Sequence, residues 1–150
     1  MYRNIVRRKV TAIFDAVSHG DAGPVLDGFA DTFEHGFLGD HALGGSRKTL
    51  AATHEWYARL YRLLPDIAFT LHEIEVHGPP WDTQVAVSWT ETNSGADGVR
   101  TSARGVHLAG LRWGQVTKLM ILPDTKVLCA TLERLAAAGF EEAAAEPIVD

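Results

Sequence analysis

The sequence predicts one α+β domain in which helices cover one face of a curved antiparallel sheet. Three observations lead to this prediction. Apolar side chains recur at helical spacing over residues 5–64, they alternate with polar ones in strand-like runs over residues 69–122, and a final helical pattern follows. Helices that are segregated from a run of antiparallel strands are typical of the α+β class. The length of 150 residues is that of a single domain.

Three helices are predicted in the N-terminal half. The first runs from Ile5 to Ser18, and a short second helix follows with Asp21 as its cap and Pro24 in its first turn. The glycine-rich stretch from Gly36 to Gly45 is predicted to be a loop. The third helix runs from about Lys48 to Leu64. Its apolar stripe consists of Leu50, Thr53, Trp56, Tyr57, Leu60, Tyr61, Leu63 and Leu64.

Four strands are predicted between residues 69 and 122. In the first strand, Phe69 and Leu71 alternate in one phase and Ile74 and Val76 in the other, which predicts a bulge near His72. The other three strands span Gln84–Thr92, Ser102–Arg112 and Val116–Leu122. A bent sheet that helices close leaves a cavity, which is where we expect a small apolar ligand to bind.

The last predicted helix starts at Pro123-Asp124-Thr125 and ends at Gly139. The residues after it are acidic and rich in alanine. We therefore divide the chain into a domain over residues 1–139 and an acidic tail over residues 140–150.

Composition excludes several classes of protein. The net charge is -5 and no basic stripe is visible, so nucleic-acid binding is not expected. No apolar stretch approaches the roughly 20 residues that span a bilayer, so we expect no membrane insertion. A single cysteine excludes a disulfide within the chain, and we expect a cytoplasmic protein.

Several short pieces, taken in order, resemble the SnoaL-like branch of the nuclear transport factor 2-like superfamily, which also contains the ketosteroid isomerases. The pieces are Ser18-His19-Gly20-Asp21, Phe29-Ala30-Asp31, Trp56-Tyr57, Leu64-Pro65-Asp66, Val85-Ala86-Val87-Ser88-Trp89-Thr90, Gly114-Gln115-Val116 and Pro123-Asp124-Thr125. The resemblance implies a cone-shaped fold with one internal pocket and a homodimer formed through the open face of the sheet. Polyketide cyclases, isomerases, epoxide hydrolases, dehydratases and proteins without known catalysis share this fold, so the site must decide the function.

Four residues are candidate catalytic groups. By the resemblance, His107 takes the place of a pocket-facing acid of ketosteroid isomerases, where an imidazole could donate a hydrogen bond or exchange protons; the alternative is a core histidine. Glu91 shares a strand face with Trp89 and is a candidate base, or else a glutamate on the rim. Asp124 matches an aspartate of many relatives, but it is also well placed to cap the last helix. His35 stands where relatives often have a histidine or an acid.

Four aromatic residues, Trp56, Tyr57, Tyr61 and Trp89, are predicted to form the pocket wall and to bind substrate. The Tyr57 phenol could also donate a hydrogen bond to a carbonyl oxygen. No metal site is predicted, because the histidines lack metal-ligand spacing.

These residues lead to two functional hypotheses. The first is a cofactor-free enzyme that isomerises, cyclises or dehydrates an apolar carbonyl compound. In it, Glu91 or Asp124 is the base, His107 and Tyr57 polarise the oxygen, and His35 assists. The second is a non-catalytic ligand-binding or dimeric interaction module.

Overall fold

The computed structural model describes residues 1–150 and confirms the α+β prediction. Its elements in chain order are α1 (Tyr2–Ser18), α2 (Gly23–Asp27), β1 (Phe29–Phe37), β2 (Gly45–Arg47), α3 (Leu50–Leu63), β3 (Ala68–His77), β4 (Thr83–Asn93), β5 (Thr101–Arg112), β6 (Gln115–Pro123), α4 (Thr125–Ala137) and a short 3-10 helix (Glu141–Ala144). None of the helices is both long and apolar enough to cross a membrane.

All six strands form one sheet, in the order β2–β1–β6–β5–β4–β3. Strands β3 to β6 are the four predicted strands, and each pairs antiparallel with the next. The bulge predicted near His72 is present as a register shift between Leu71 and Glu73. A bulge bends its strand, which helps to curve the sheet around the helices.

The loop predicted over Gly36–Gly45 is wrong at both of its ends, which belong to strands β1 and β2. Gly36 belongs to β1, which runs parallel to β6, and Gly45 belongs to β2. The physical reason is close packing, because a Cβ on Gly36 would lie 2.7 Å from the Met120 side chain across the strand pair. Here a glycine in the sequence marks a tight approach between strands.

Helices α1 and α3 pack on the inner face of the sheet and close it into a core. Their buried residues and those of the sheet form one cluster that includes Val6, Phe14, Val17, Trp56, Tyr57, Leu60, Val87, Trp89, Leu119 and Ile121. Leu50 was expected on the buried stripe of α3 but is 54% exposed, because it is the first residue of the helix. The Thr49 side chain caps that end by accepting a hydrogen bond from the Ala52 amide.

Residues 140–150 run along α3 and the β2 edge. Glu142 forms an ion pair with Arg62, and the Ile148 carbonyl accepts a hydrogen bond from Arg47. The Asp150 carboxylate accepts hydrogen bonds from the backbone amides of Lys48 and Thr49, just before α3 begins. The tail therefore covers the outside of this edge.

Candidate functional site

A cavity of about 130 Å³ lies between the inner face of the sheet and helices α1, α3 and α4. Of its 35 lining residues 25 are hydrophobic, so its walls suit an apolar ligand. The polar and charged side chains in the wall are Lys9, Tyr57, Glu91, Asn93, Thr101, His107, Asp124 and Thr131. Three of them, Tyr57, Glu91 and His107, are the groups whose placement suggests chemistry.

His107 lies in the middle of β5, between Val87 of β4 and Ile121 of β6. The Trp89 Nε1 atom lies 2.8 Å from His107 Nδ1. Because an indole nitrogen can only donate, Nδ1 is the acceptor and the proton of the neutral ring is on Nε2. The ring is also wedged against Phe14, with centroids 4.8 Å apart. Strand pairing, the indole and Phe14 together fix the orientation of the imidazole.

His107 lines the cavity, and its protonated Nε2 atom is a hydrogen-bond donor. It makes no hydrogen bond within the protein, since the one side-chain hydrogen bond of His107 uses Nδ1. Burial among apolar groups lowers the His107 pKa to about 3. The ring therefore stays neutral near pH 7, which favours the donor role over proton exchange.

The lowered pKa predicts a specific loss of stability in acid. In the unfolded chain a histidine has a pKa of about 6.5, whereas in the folded protein the pKa of His107 is about 3. Between these two pH values only the unfolded chain binds a proton at His107, and this stabilises the unfolded state. Stability is retained above pH 6.5 and falls as the pH drops from there. Between pH 7 and pH 5 we expect the wild type to lose about 2 kcal/mol more than His107→Gln. Urea unfolding of both proteins at the two pH values measures this difference, and equal losses would contradict a buried neutral His107.

Tyr57 of α3 lines the cavity, and its hydroxyl is hydrogen-bonded to a residue outside the cavity wall. The hydroxyl oxygen lies 3.3 Å from His35 Nε2, and His35 Nδ1 lies 2.7 Å from the Arg47 guanidinium. Burial raises the pKa of Tyr57, so the phenol remains protonated and can donate. Trp56 packs edge-on against Tyr57, with ring centroids 4.8 Å apart. Tyr57 is thus a rigid neutral donor in the wall.

Glu91 lies near the end of β4, on the same face as Trp89, and its carboxyl lines the cavity. Burial raises the pKa of Glu91, while a hydrogen bond from the Asn93 side-chain amide opposes the rise. The Asn93 oxygen accepts from the Gly95 amide at 2.8 Å, which turns the Asn93 NH₂ group towards Glu91. A carboxyl with a raised pKa and a fixed orientation is suited to transfer protons.

Asp124 lies at the rim of the cavity and is exposed. Its carboxylate accepts a hydrogen bond from the Val127 amide at 3.2 Å and caps the start of α4. Of the two alternatives for Asp124, the structure places the side chain in the capping position. Glu91 is therefore the better placed of the two carboxylates for chemistry inside the cavity.

The structure brings together six of the eight predicted site residues around one cavity. These are Trp56, Tyr57, Trp89, Glu91, His107 and Asp124. His35 is fully buried behind Tyr57 and contacts the cavity only through the Tyr57 hydroxyl. Tyr61 lies outside the wall and donates its hydroxyl proton to the Val17 carbonyl at 2.8 Å. No group of three or more His, Cys, Asp or Glu side chains is arranged to hold a metal ion.

Two residues of the site were missed from the sequence. Asn93 lies one residue beyond the predicted strand Gln84–Thr92, although it follows Glu91 by two positions and so extends the alternation of the same strand face. Arg47 follows the glycine-rich stretch and carries no periodic signal. Only the packing of β2, α3 and the tail around Arg47 shows that this guanidinium is fully buried.

Comparisons with known proteins agree with the fold. TerC, which was co-crystallized with polyporic acid, is 20% identical with a TM-score of 0.72, over 85% of this chain and 98% of that one. A candidate SnoaL-like polyketide cyclase from Jannaschia sp. CCS1 is 16% identical with a TM-score of 0.69, over 84% and 90% of the two chains. AclR, a candidate hydroxylase from Streptomyces galilaeus, is 15% identical with a TM-score of 0.69, over 89% and 85%.

At these sequence identities the structural matches show a shared fold, but they do not show a shared activity or ligand. No curated protein sequence matches the chain at a significant level. The sequence model of the SnoaL-like domain matches residues 10–119, which is well over half of the chain. The fold, the internal cavity and this match agree with the resemblance seen in the sequence, and the chain belongs to the SnoaL-like domain family.

Proposed function

We propose that the protein is a cofactor-free acid–base enzyme that isomerises, cyclises or dehydrates a small apolar carbonyl compound. One observation carries this proposal. Two neutral hydrogen-bond donors, Tyr57 and His107, and one partly buried carboxyl, Glu91, line the same apolar cavity. Each has a hydrogen-bond partner that holds it: His35 behind the wall for Tyr57, and Trp89 and Asn93 in the wall for His107 and Glu91.

Each of the three groups has its own role in an enolisation. The Glu91 carboxylate removes a proton from the carbon next to the carbonyl. The electron pair of the broken C–H bond forms the C=C bond of the enolate, and the π pair of the C=O bond moves onto the oxygen. Hydrogen bonds from Tyr57 and His107 stabilise the enolate oxygen, and they act strongly because the cavity is apolar. Protonated Glu91 then returns the proton to another carbon, which completes an isomerisation, or to a leaving hydroxyl, which completes a dehydration.

The size of the cavity narrows the substrate class. A dry cavity of about 150 Å³ binds benzene, and the volume here is about 130 Å³. In this conformation the cavity suits a compound with a single ring rather than a four-ring steroid. We therefore expect one-ring ketones and enones to be the first compounds that bind.

A ligand-induced thermal shift tests the proposal. A compound that binds only the folded state raises the melting temperature by mass action. We expect one-ring ketones to raise the melting temperature of the wild type and of Ser102→Ala, because Ser102 is exposed on β5. The shift should shrink in His107→Ala. An unchanged shift in His107→Ala, or no shift in any protein, would contradict this site.

We also propose that the outer face of the sheet forms a homodimer, which would fit either the enzyme or an interaction module. Leu108 on this face is 45% exposed, and it pairs with Ala86 on one side and Met120 on the other. An apolar row in the middle of an open sheet favours contact with a second copy.

A change of charge on this face tests the dimer. Leu108→Asp should turn a dimer into a monomer in light scattering coupled to size-exclusion chromatography, while Arg104→Asp, nearer the end of the same strand, should reduce dimerisation less. A wild type that is monomeric at all concentrations would refute this interface.

A further inference from the structure

We propose that Arg47 and His35 are positioning residues that turn the hydroxyl proton of Tyr57 into the cavity. The inference deepens the proposed function, because it identifies what makes Tyr57 a donor toward a bound oxygen. Neither Arg47 nor His35 lines the cavity, and both have fully buried side chains.

Arg47 is the first member of a hydrogen-bonded series that continues through His35 to Tyr57, and its other hydrogen bonds hold it in place. Its guanidinium donates to the Ile148 carbonyl at 2.9 Å, to the Gly44 carbonyl at 3.0 Å and to His35 Nδ1 at 2.7 Å. The Trp56 ring lies beneath it, with the guanidinium carbon 5.4 Å from the ring centroid. An arginine has no acceptor atom, so every one of these bonds runs outward from Arg47.

The direction of the next bond follows from the first. Because His35 Nδ1 accepts from Arg47, the neutral ring carries its proton on Nε2. His35 also stays neutral, since burial and the adjacent Arg47 charge both lower its pKa. Nε2 therefore donates to the Tyr57 hydroxyl oxygen.

Tyr57 is left with one free direction for its own proton. Its oxygen accepts from His35, and no protein atom accepts from the hydroxyl. Tyr57 lines the cavity, and we infer that its hydroxyl proton turns into that volume. The tyrosine thus presents a donor to the cavity in every molecule, without the cost of turning the hydroxyl when a ligand arrives.

A pair of probes measures this donor. Acetophenone and ethylbenzene have nearly the same shape, but only acetophenone carries a carbonyl oxygen. The ratio of their affinities, from titrations followed by nuclear magnetic resonance, reports the hydrogen bonds to that oxygen. We expect the wild type to prefer acetophenone by about 10-fold and Tyr57→Phe to lose about 3- to 10-fold of this preference.

Two variants of His35 separate positioning from packing. His35→Leu removes both hydrogen bonds, and it should lower the affinity ratio as much as Tyr57→Phe does. His35→Gln can accept from Arg47 through its amide oxygen and donate to Tyr57 through its amide nitrogen, so it should restore the ratio. The affinity for ethylbenzene should be the same in all four proteins, which shows that each cavity is intact.

Three results would overturn the inference. They are a normal ratio in His35→Leu, a ratio in His35→Gln as low as in His35→Leu, and a wild type that binds neither probe or does not distinguish them. The ratio is a binding measurement, so a normal ratio without turnover of any ketone would contradict the proposed catalysis alone.

Discussion

Replacement of Glu91 by glutamine should lower kcat by a factor of about 10²–10⁴ on any one-ring ketone that the wild type converts. The amide has nearly the size of the carboxyl and can still accept a hydrogen bond from Asn93, but it cannot take up a proton. We expect KM to change little, because the apolar walls that bind the ligand are unaffected. Steady-state kinetics of the two proteins measure both parameters.

Glu75→Gln is the matched control for this experiment. Glu75 lies on the outer face of β3 and its side chain is 58% exposed, so its loss should leave kcat unchanged. If Glu91→Gln and the wild type turn over equally, Glu91 is not the base. If ketones bind to the wild type but none is converted, this result supports the non-catalytic ligand-binding hypothesis.

Arg47→Met should lower the free energy of unfolding by about 2–5 kcal/mol. The substitution leaves the Ile148 carbonyl, the Gly44 carbonyl and His35 Nδ1 without their donor, and each buried polar atom without a partner costs about 1–3 kcal/mol. Part of this loss is offset, because burial lowers the Arg47 pKa to about 10 and methionine removes that buried charge. Chemical denaturation at pH 7 gives the difference.

Arg62→Met provides the control for the loss of an arginine. Arg62 lies on the exposed side of α3, where it pairs with Glu142, and surface pairs of this kind contribute at most about 1 kcal/mol. Equal stability of Arg47→Met and the wild type would mean that the three acceptors find other partners. The function of Arg47 in the buried network would then need revision.

Local patterns predicted most of the fold because most elements are stabilised by one apolar face. The helices, the four antiparallel strands and the bulge near His72 all follow from the spacing of apolar side chains. The parallel pairing of β1 with β6 does not, since it joins distant segments and involves Gly36, a residue that usually indicates a loop. Long-range pairing leaves no periodic signal in the sequence.

In the candidate site, too, local patterns predicted some placements and tertiary contacts determined the others. Strand phase placed Glu91 with Trp89, and the structure has both in the cavity wall. The resemblance, not strand phase, made His35 a candidate catalytic group, and it could not show that Tyr57 stands between His35 and the cavity. That distinction depends on how α3 packs over β1. Arg47 was missed for a related reason, since only tertiary contacts bury it.

The most direct test of the central claim is the nitrogen-15 spectrum of the histidine side chains during a titration with acetophenone. The account predicts that the Nε2–H signal of His107 moves as the cavity fills, because this proton donates to the ligand oxygen, while Nδ1 remains an unprotonated acceptor from Trp89. Ethylbenzene should move the signal much less. If acetophenone saturates the protein and the His107 signal does not move, the ligand site lies elsewhere and the proposed chemistry in this cavity is wrong.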